Sequence, residues 1–476
     1  MTDKVTVLGG SLDPKVIGGQ CLLIEARGKN ILYDSGLGVE RTETGESKMT
    51  GIDEEIVKAL KEKGTVIHAI LVSHSHTDHI GVLPELESTG LLDPEAKLYC
   101  TPQCAEVTRA VWFDSMRHSP RFSVFDWAKI QNRMSVIEKP GRVEIFPGYH
   151  IYAIPNGHLF GSCSYLVPLS DGGYGLLTGD WCVHEQPTVR GACFADWPSD
   201  VPFPRALLST DFTYASADTE ESRESYSERQ ERLVKVVRQG LKKKKKIVLL
   251  GFAQGKIQNV AATLYRAGIP CYIDSPLAIK ICGIISKTRW SDQDIPFPVL
   301  GQESGIMPVE GPSHRRELIE SNESWVVLAT SGVGEGGPII DYYQAGLPSN
   351  NYIFITTNYL FEGTTAYRIR EICQRYPKYR GHSKQRRITF WDRDRKNEYK
   401  NVAIRATIHH IGLGSHNTLA DSLNMTSQLV ERNGGVLDLI ICNHGTIESL
   451  ERGKEVFNDF ASRVEIASPP GRVIAI

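Results

Sequence analysis

Short apolar runs, broken by glycine and polar turns, dominate the first 210 residues. Val5-Thr6-Val7-Leu8, Cys21-Leu22-Leu23-Ile24-Glu25 and Asn30-Ile31-Leu32-Tyr33 read as successive short strands. Asp53 to Lys63 sets Ile56, Val57 and Leu60 at helical spacing, and Gly64 follows as a C-cap. Ala69-Ile70-Leu71-Val72 is a continuous apolar run suited to a strand buried on both faces, and it delivers the chain into His74. Further strands are predicted at Ile151–Ile154, Ser164–Val167 and Tyr174–Thr178, each ending beside a polar residue of interest.

From about residue 215 the pattern changes. Thr219 to Gln239 is charge-rich with helical spacing and leads into Lys242–Lys246, read as the exposed end of a helix. Ile247–Leu250, Ile269–Ile273, Val326–Ala329 and Tyr352–Ile355 are predicted strands, and Gly255 to Ala267 a helix. Strands alternating with helices imply a parallel α/β unit with its own core. Residues 376–400 interleave Tyr379, Phe390, Trp391 and Tyr399 with arginines and lysines, and read as a link between domains with some capacity to touch nucleic acid. Leu437–Cys442 is again a buried strand, ending at Asn443-His444. At 476 residues the chain exceeds what one core usually serves, so two domains are expected.

Composition adds exclusions. Hydrophobic residues at 41% and charged residues at 23% are ordinary for a soluble enzyme. A net charge of −2 rules out binding nucleic acid by bulk electrostatics and leaves room only for a local basic groove. No apolar run approaches the roughly 20 residues of a membrane span, and the N-terminus lacks a signal-peptide core. The ten cysteines are scattered without a CxxC pair, as expected of reduced thiols in the cytoplasm.

The chemistry concentrates in His74-Ser75-His76-Thr77-Asp78-His79, four potential metal ligands in six residues directly after an apolar strand. Imidazole and carboxylate are the ligands that hold zinc while leaving a position open. His74 and His76 can reach one ion, and Asp78 and His79 a second. Four residues cannot complete two coordination spheres, and His158 and Asp180 stand in similar strand-end turns.

These motifs resemble the metallo-β-lactamase superfamily, whose order is an aspartate in Leu32-Tyr33-Asp34-Ser35-Gly36, HxHxDH at 74–79, His158 and Asp180. The resemblance implies that His74, His76 and His158 bind one zinc, that Asp78 and His79 bind the other, and that Asp180 bridges them. Asp34 would support the site from behind its ligands. The long stretch that follows resembles the β-CASP branch, which includes RNA-cleaving members such as the mRNA 3′-end cleavage endonuclease and ribonuclease J, and Artemis-type DNA nucleases. Its further motifs fit Asp211 in Asp211-Phe212-Thr213-Tyr214, His416 in Gly414-Ser415-His416, and His444 in Asn443-His444-Gly445. Gly251–Gln258 and Phe361-Glu362-Gly363-Thr364 resemble two other family segments. Thr418 stands where the family usually has aspartate, and Ala215 where glycine is common.

The fold so implied is an α/β metallo-β-lactamase αββα sandwich, with residues 1–210 and 406–476 forming it around an inserted β-CASP domain at 211–405. The implied function is a metal-dependent phosphodiester hydrolase using a water activated by two Zn2+, with Mn2+ also fitting the ligands. Asp78 counts among both catalytic and metal-binding residues, better as a ligand than as a free base. His416 is the expected general acid, held by Asp211. His444, a further ligand, tilts the substrate toward single-stranded RNA over DNA, since histidine there is typical of RNA-cleaving members. No membrane partner is expected, and a homodimer is compatible with the sequence. The rivals are a DNA nuclease of the same family, a small-molecule metallo-hydrolase acting on a lactam or thioester, and a catalytically silent scaffold subunit. The hydrolase of small molecules leaves Asp211 and His416 without a job.

Overall fold

A computed structural model describes residues 2–9, 19–41, 47–118, 122–214 and 223–476. Ala215 and the start of the charge-rich helix predicted from Thr219 lie outside them.

Two seven-stranded sheets face each other. The first runs in the order Val473–Ala475, Lys4–Val7, Leu22–Ala26, Lys29–Tyr33, Ile67–Leu71, Leu92–Cys100, Met134–Val136. The second runs Val464–Ile466, Leu439–Asn443, Ala206–Asp211, Tyr174–Leu177, Cys163–Pro168, Tyr149–Pro155, Gly141–Phe146. Alternation along each strand builds the layers, because successive side chains point to opposite faces. Ala69 and Leu71 share one core with Ile151, Ala153, Tyr165, Leu177, Leu208 and Ile441 between the sheets. Ile70 faces outward onto helices through Val107 and Trp112. On the far side Tyr152, Ile154, Leu176 and Ile440 pack against Met425, Leu429 and Phe457. This is the αββα sandwich expected from the sequence.

The third sheet is wholly parallel: Ile306–Pro308, Cys271–Asp274, Val326–Ala329, Lys246–Leu250, Tyr352–Thr356, Thr407–His410. Its last strand was expected in the closing part of the sandwich. Ile353 to Thr356 pair instead with Thr407 to His410, so the inserted unit extends past residue 405.

Two further local expectations change. Lys246 is not part of an exposed helix end. The helix Tyr226–Lys242 stops earlier, and Lys246 opens a strand with its buried ammonium donating to the carbonyls of Ile319 and Ser321 at 2.6 Å. The stretch 376–400 is not a simple link. It contributes to a hairpin, Arg387–Asp392 against Asn397–Ala403, whose Ile388 and Phe390 join the core of the inserted unit. Its arginines serve this packing: Arg395 donates to Asp341 at 2.6 Å, and Arg387 to Asn401. The helices Pro102–His118 and Leu419–Asn433 were not foreseen.

Candidate metal centre

Five strands of the sandwich deliver their carboxyl ends to one place. His74, His158 and Asp180 each lie three residues past the ends of Ile67–Leu71, Tyr149–Pro155 and Tyr174–Leu177. Asp211 is the last residue of Ala206–Asp211, and its parallel partner Asn443 is followed by His444. The turn carrying Asp78 is held by close backbone approach: Gln20 N–H donates to the Asp78 carbonyl at 2.7 Å, and a Cβ at Gly36 would collide with that same carbonyl.

The ligand candidates form two clusters. Around the first, His74 Nε2 lies 3.0 Å and His158 Nε2 3.2 Å from His76 Nδ1. Around the second, His79 Nε2 lies 3.2 Å from His444 Nε2, which is 3.3 Å from Asp78 Oδ2. Asp180 stands between them. Its Oδ2 is 3.5 Å from His74 and 3.6 Å from His158, while its Oδ1 is 3.4 Å from His79 and 3.3 Å from His444. His74, His76, His158 and Asp180 thus offer one set of converging donors and Asp78, His79 and His444 another, while Asp180, Asp211, His416 and His444 form a third that shares a residue with each.

The residues behind the ligands set their ring orientation. Asp34 accepts from Ser73 N–H, Ser73 Oγ–H and His79 Nδ1–H, each at 2.8 Å, which leaves His79 Nε2 for the centre. His158 Nδ1–H donates to the Ser415 carbonyl at 2.8 Å and so turns Nε2 inward. Burial drives His74 and His158 well below the usual histidine range and His76 to about 4, so these three rings are neutral. Burial would also depress His79, but the Asp180 and Asp34 carboxylates outweigh it and raise the group to about 10 with no cation in place, so a cation bound at Nε2 would have to displace its proton. Neutral imidazole nitrogens meeting at 3.0–3.2 Å cannot all hydrogen-bond to one another, and the buried Asp180 Oδ1 accepts no hydrogen bond. Nitrogen lone pairs converging on an unsatisfied carboxylate are the donor set of a divalent cation, and the residues fit one.

Beside the clusters, His416 Nδ1–H donates to Asp211 Oδ2 at 2.7 Å. Burial opposes protonation of His416, yet the Asp211 carboxylate raises its pKa, and Asp211 is held well below the usual carboxylate range. Thr213 donates to the other oxygen of Asp211 at 2.7 Å and contacts His444 Nδ1 at 3.0 Å. Every site residue expected from the sequence is therefore in this one region. Thr418, the departure noted above, caps the helix Leu419–Asn433, accepting from Asp421 N–H in a capping box.

Sequence reasoning missed the residues that hold the site from the inserted unit. Lys256 donates to the Leu413 carbonyl, and Arg229 to the Gly412 carbonyl at 2.5 Å, both in the loop that carries His416. Gln254 donates to Ser75 Oγ at 2.5 Å. Asn259 donates to Gln186, whose amide donates to the carbonyls of Gly157 and His158 at 2.8 Å. Gln254 and Lys256 sit inside the segment Gly251–Gln258 already singled out, so a signal existed for them; Arg229 had none, nor had Gln186, which belongs to the sandwich and receives Asn259 from the insert. In the glycine-rich stretch 331–337, Gly334 and Glu335 N–H donate to Ser331 Oγ, and Gly337 N–H donates to Asp394.

Comparison with known proteins gives the same two units. The metallo-beta-lactamase superfamily model matches residues 15–90, and the Beta-Casp domain model matches residues 253–369. The chain carries both domains. It is 25% identical over 388 residues to a transcription termination factor FttA from Pyrococcus abyssi, covering 76% of this chain and 56% of that protein. It is 26% identical over 368 residues to an RNase J-like protein from Methanocaldococcus jannaschii, covering 75% and 78%. The chain spans just over half the length of the FttA proteins first matched. A crystal structure of a protein of unknown function from Enterococcus faecalis V583 shares the fold over the whole of both chains, at a TM-score of 0.57 and 13% identity. The candidate ligands lie in the metallo-β-lactamase part, and Gln254, Lys256 and Arg229 of the inserted unit hydrogen-bond to the loops around them.

Proposed function

We propose that this protein is a metal-dependent phosphodiester hydrolase acting on RNA. The observation that carries the reading is the division of Asp180, one oxygen toward each histidine cluster, with the Asp211–His416 pair beside it. His74, His76 and His158 would hold one ion, Asp78, His79 and His444 a second, and Asp180 would touch both. Asp34 keeps His79 in the tautomer that offers Nε2. Zn2+ suits the nitrogen-rich donors, and Mn2+ would be held by the same set. Two such ions would supply a nucleophile from water at neutral pH and neutralise charge on the phosphoryl oxygens.

The remaining need is a proton for the departing oxygen. His416 meets it from Nε2, because Nδ1 is engaged by Asp211, whose negative charge keeps the ring protonated. Asp78 acts as a ligand in this scheme rather than as a free base. RNA is favoured over DNA by histidine at position 444 and by the RNase J-like relative. Residues 1–210 and the segment following His410 make the hydrolase core in this reading, and the β-CASP insert closes over the cleft. Among the described residues no helix is long and apolar enough to cross a membrane. A cytoplasmic place of action is proposed with the activity.

The test is direct. Purified protein supplied with Zn2+ or Mn2+ is incubated with labelled single-stranded RNA, single-stranded DNA and a chromogenic lactam; cleavage of RNA above the others is expected. His416→Ala should keep its metal and lose about 100- to 10,000-fold in rate. Lactam turnover without RNA cleavage overturns the reading.

A further inference from the structure

Large aromatic side chains are exposed on the inserted unit. Tyr359 is 48% exposed, and Phe252 and Phe361 are each 37% exposed. All three rise from the carboxyl edge of the parallel β-CASP sheet. Lys246–Leu250 and Tyr352–Thr356 are hydrogen-bonded neighbours there, with Leu250 opposite Thr356. Phe252 follows the first strand and Tyr359 and Phe361 the second. In open parallel sheets this edge is where ligands lodge.

The rings also form a path that starts in the metal centre. The buried Tyr214 ring lies 5.5 Å from the His416 ring, edge to face at 84°. Tyr214 is 6.4 Å from Tyr359, and Tyr359 is 5.2 Å from Phe361 at 76°. The geometry of the exposed pair matters. Rings stacked in parallel cover each other's faces, whereas an edge-to-face contact covers the face of only one partner. Phe252 is tied to the site through its own loop: two residues on, Gln254 donates to Ser75, between His74 and His76. Unpaired nucleobases would gain a stacking face.

We propose that Tyr359 and Phe361, with Phe252, form a base-stacking platform that seats unpaired nucleotides of a single-stranded RNA next to the phosphate to be cut. The platform rests on the hydrolase reading above. It gives the β-CASP domain a recognition role separate from its grip on the His416 loop. It requires bases but no particular sequence, since every base has a π-face.

The test separates binding from cleavage. Fluorescence anisotropy with a labelled single-stranded RNA of about 12 nucleotides, in chelator, reports affinity alone. A ribose-phosphate oligomer of the same length without bases is the control. Tyr359→Ala and Phe361→Ala should each weaken RNA binding on the order of 10-fold and leave the base-free oligomer unaffected. With metal restored, the loss should fall on KM rather than kcat. Tyr359→Phe keeps the ring and should bind as the parent does. Unchanged RNA affinity in both alanine variants overturns the platform, as does an equal loss for the base-free oligomer. A parent protein that binds RNA through these rings but cuts nothing retains the platform and removes the hydrolase reading. One that cuts RNA while the alanine variants bind normally does the reverse.

Discussion

The two sides of the cleft are built on opposite principles. On the metallo-β-lactamase side His74, His158 and Asp180 are buried just past buried strands, His79 is buried in the short helix Thr77–Ile80, and further buried groups such as Asp34 and Ser73 fix them. On the β-CASP side none of the described residues joins the two ligand clusters. What reaches over is a set of polar clamps, Gln254, Lys256 and Arg229, and an exposed aromatic rim. The contrast teaches a division of labour. Rigid strand ends hold the chemistry where positional error is costly, and the insert governs access and the placement of His416.

The strongest way to break this division is to attack the shared carboxylate. Asp180→Ala removes the group that faces both clusters with separate oxygens, so it should release bound metal and bring turnover to background, with elemental analysis as the measurement. Retention of two ions per chain in that variant would show that the clusters do not depend on a common bridge. Asp34→Ala is the next step down. It leaves every ligand in place but frees His79 to rotate and shift tautomer, and metal affinity should fall by about 10- to 100-fold in a competition titration. An unchanged affinity would mean that the strand end alone orients the ring.

How much of this was legible beforehand differs on the two sides for the same reason. The ligand turn at 74–79 is local: an apolar strand followed by alternating ligands carries its meaning within ten residues. The layers were legible through period-two alternation, as at Ile151 to Ile154. The clamps were not, because each is a pairing between distant segments. Arg229 meets Gly412 across 183 positions and Lys256 meets Leu413 across 157. Nothing in a helix such as Tyr226–Lys242 marks which of its arginines is buried. The same limit explains the hairpin in 376–400, whose basic and aromatic residues gave the pattern of a nucleic-acid surface while Phe390 was serving a core. The strand Thr407–His410 was assigned to the wrong unit because four residues carry no record of which sheet edge they will join.

Lys256 gives a sharper test of the insert's part. Lys256→Met keeps the stem and removes the ammonium that donates to the Leu413 carbonyl, loosening the loop that presents His416. Small displacements of a proton donor can cost up to about 100-fold, and here the loss should appear in kcat with metal content unchanged. Lys256→Arg restores a donor and should recover much of the rate, which a purely structural lesion would not allow. If kcat is unaffected in the methionine variant, the β-CASP domain does not position the acid through this contact.

The smallest expected effect is also the cleanest control for the comparison. Thr418 lies two residues from His416, yet its hydroxyl is committed to the helix that follows, accepting from Asp421 N–H while the Asp421 carboxylate accepts from Thr418. Proximity in sequence would make it catalytic; the hydrogen bonds make it a cap. Thr418→Ala should therefore cost about 1 kcal/mol of stability, read as a lower thermal midpoint, with metal stoichiometry and KM unchanged. A large fall in kcat without a loss of stability would show instead that this position acts on His416, and the line drawn between the supporting helix and the catalytic loop would have to move by one turn.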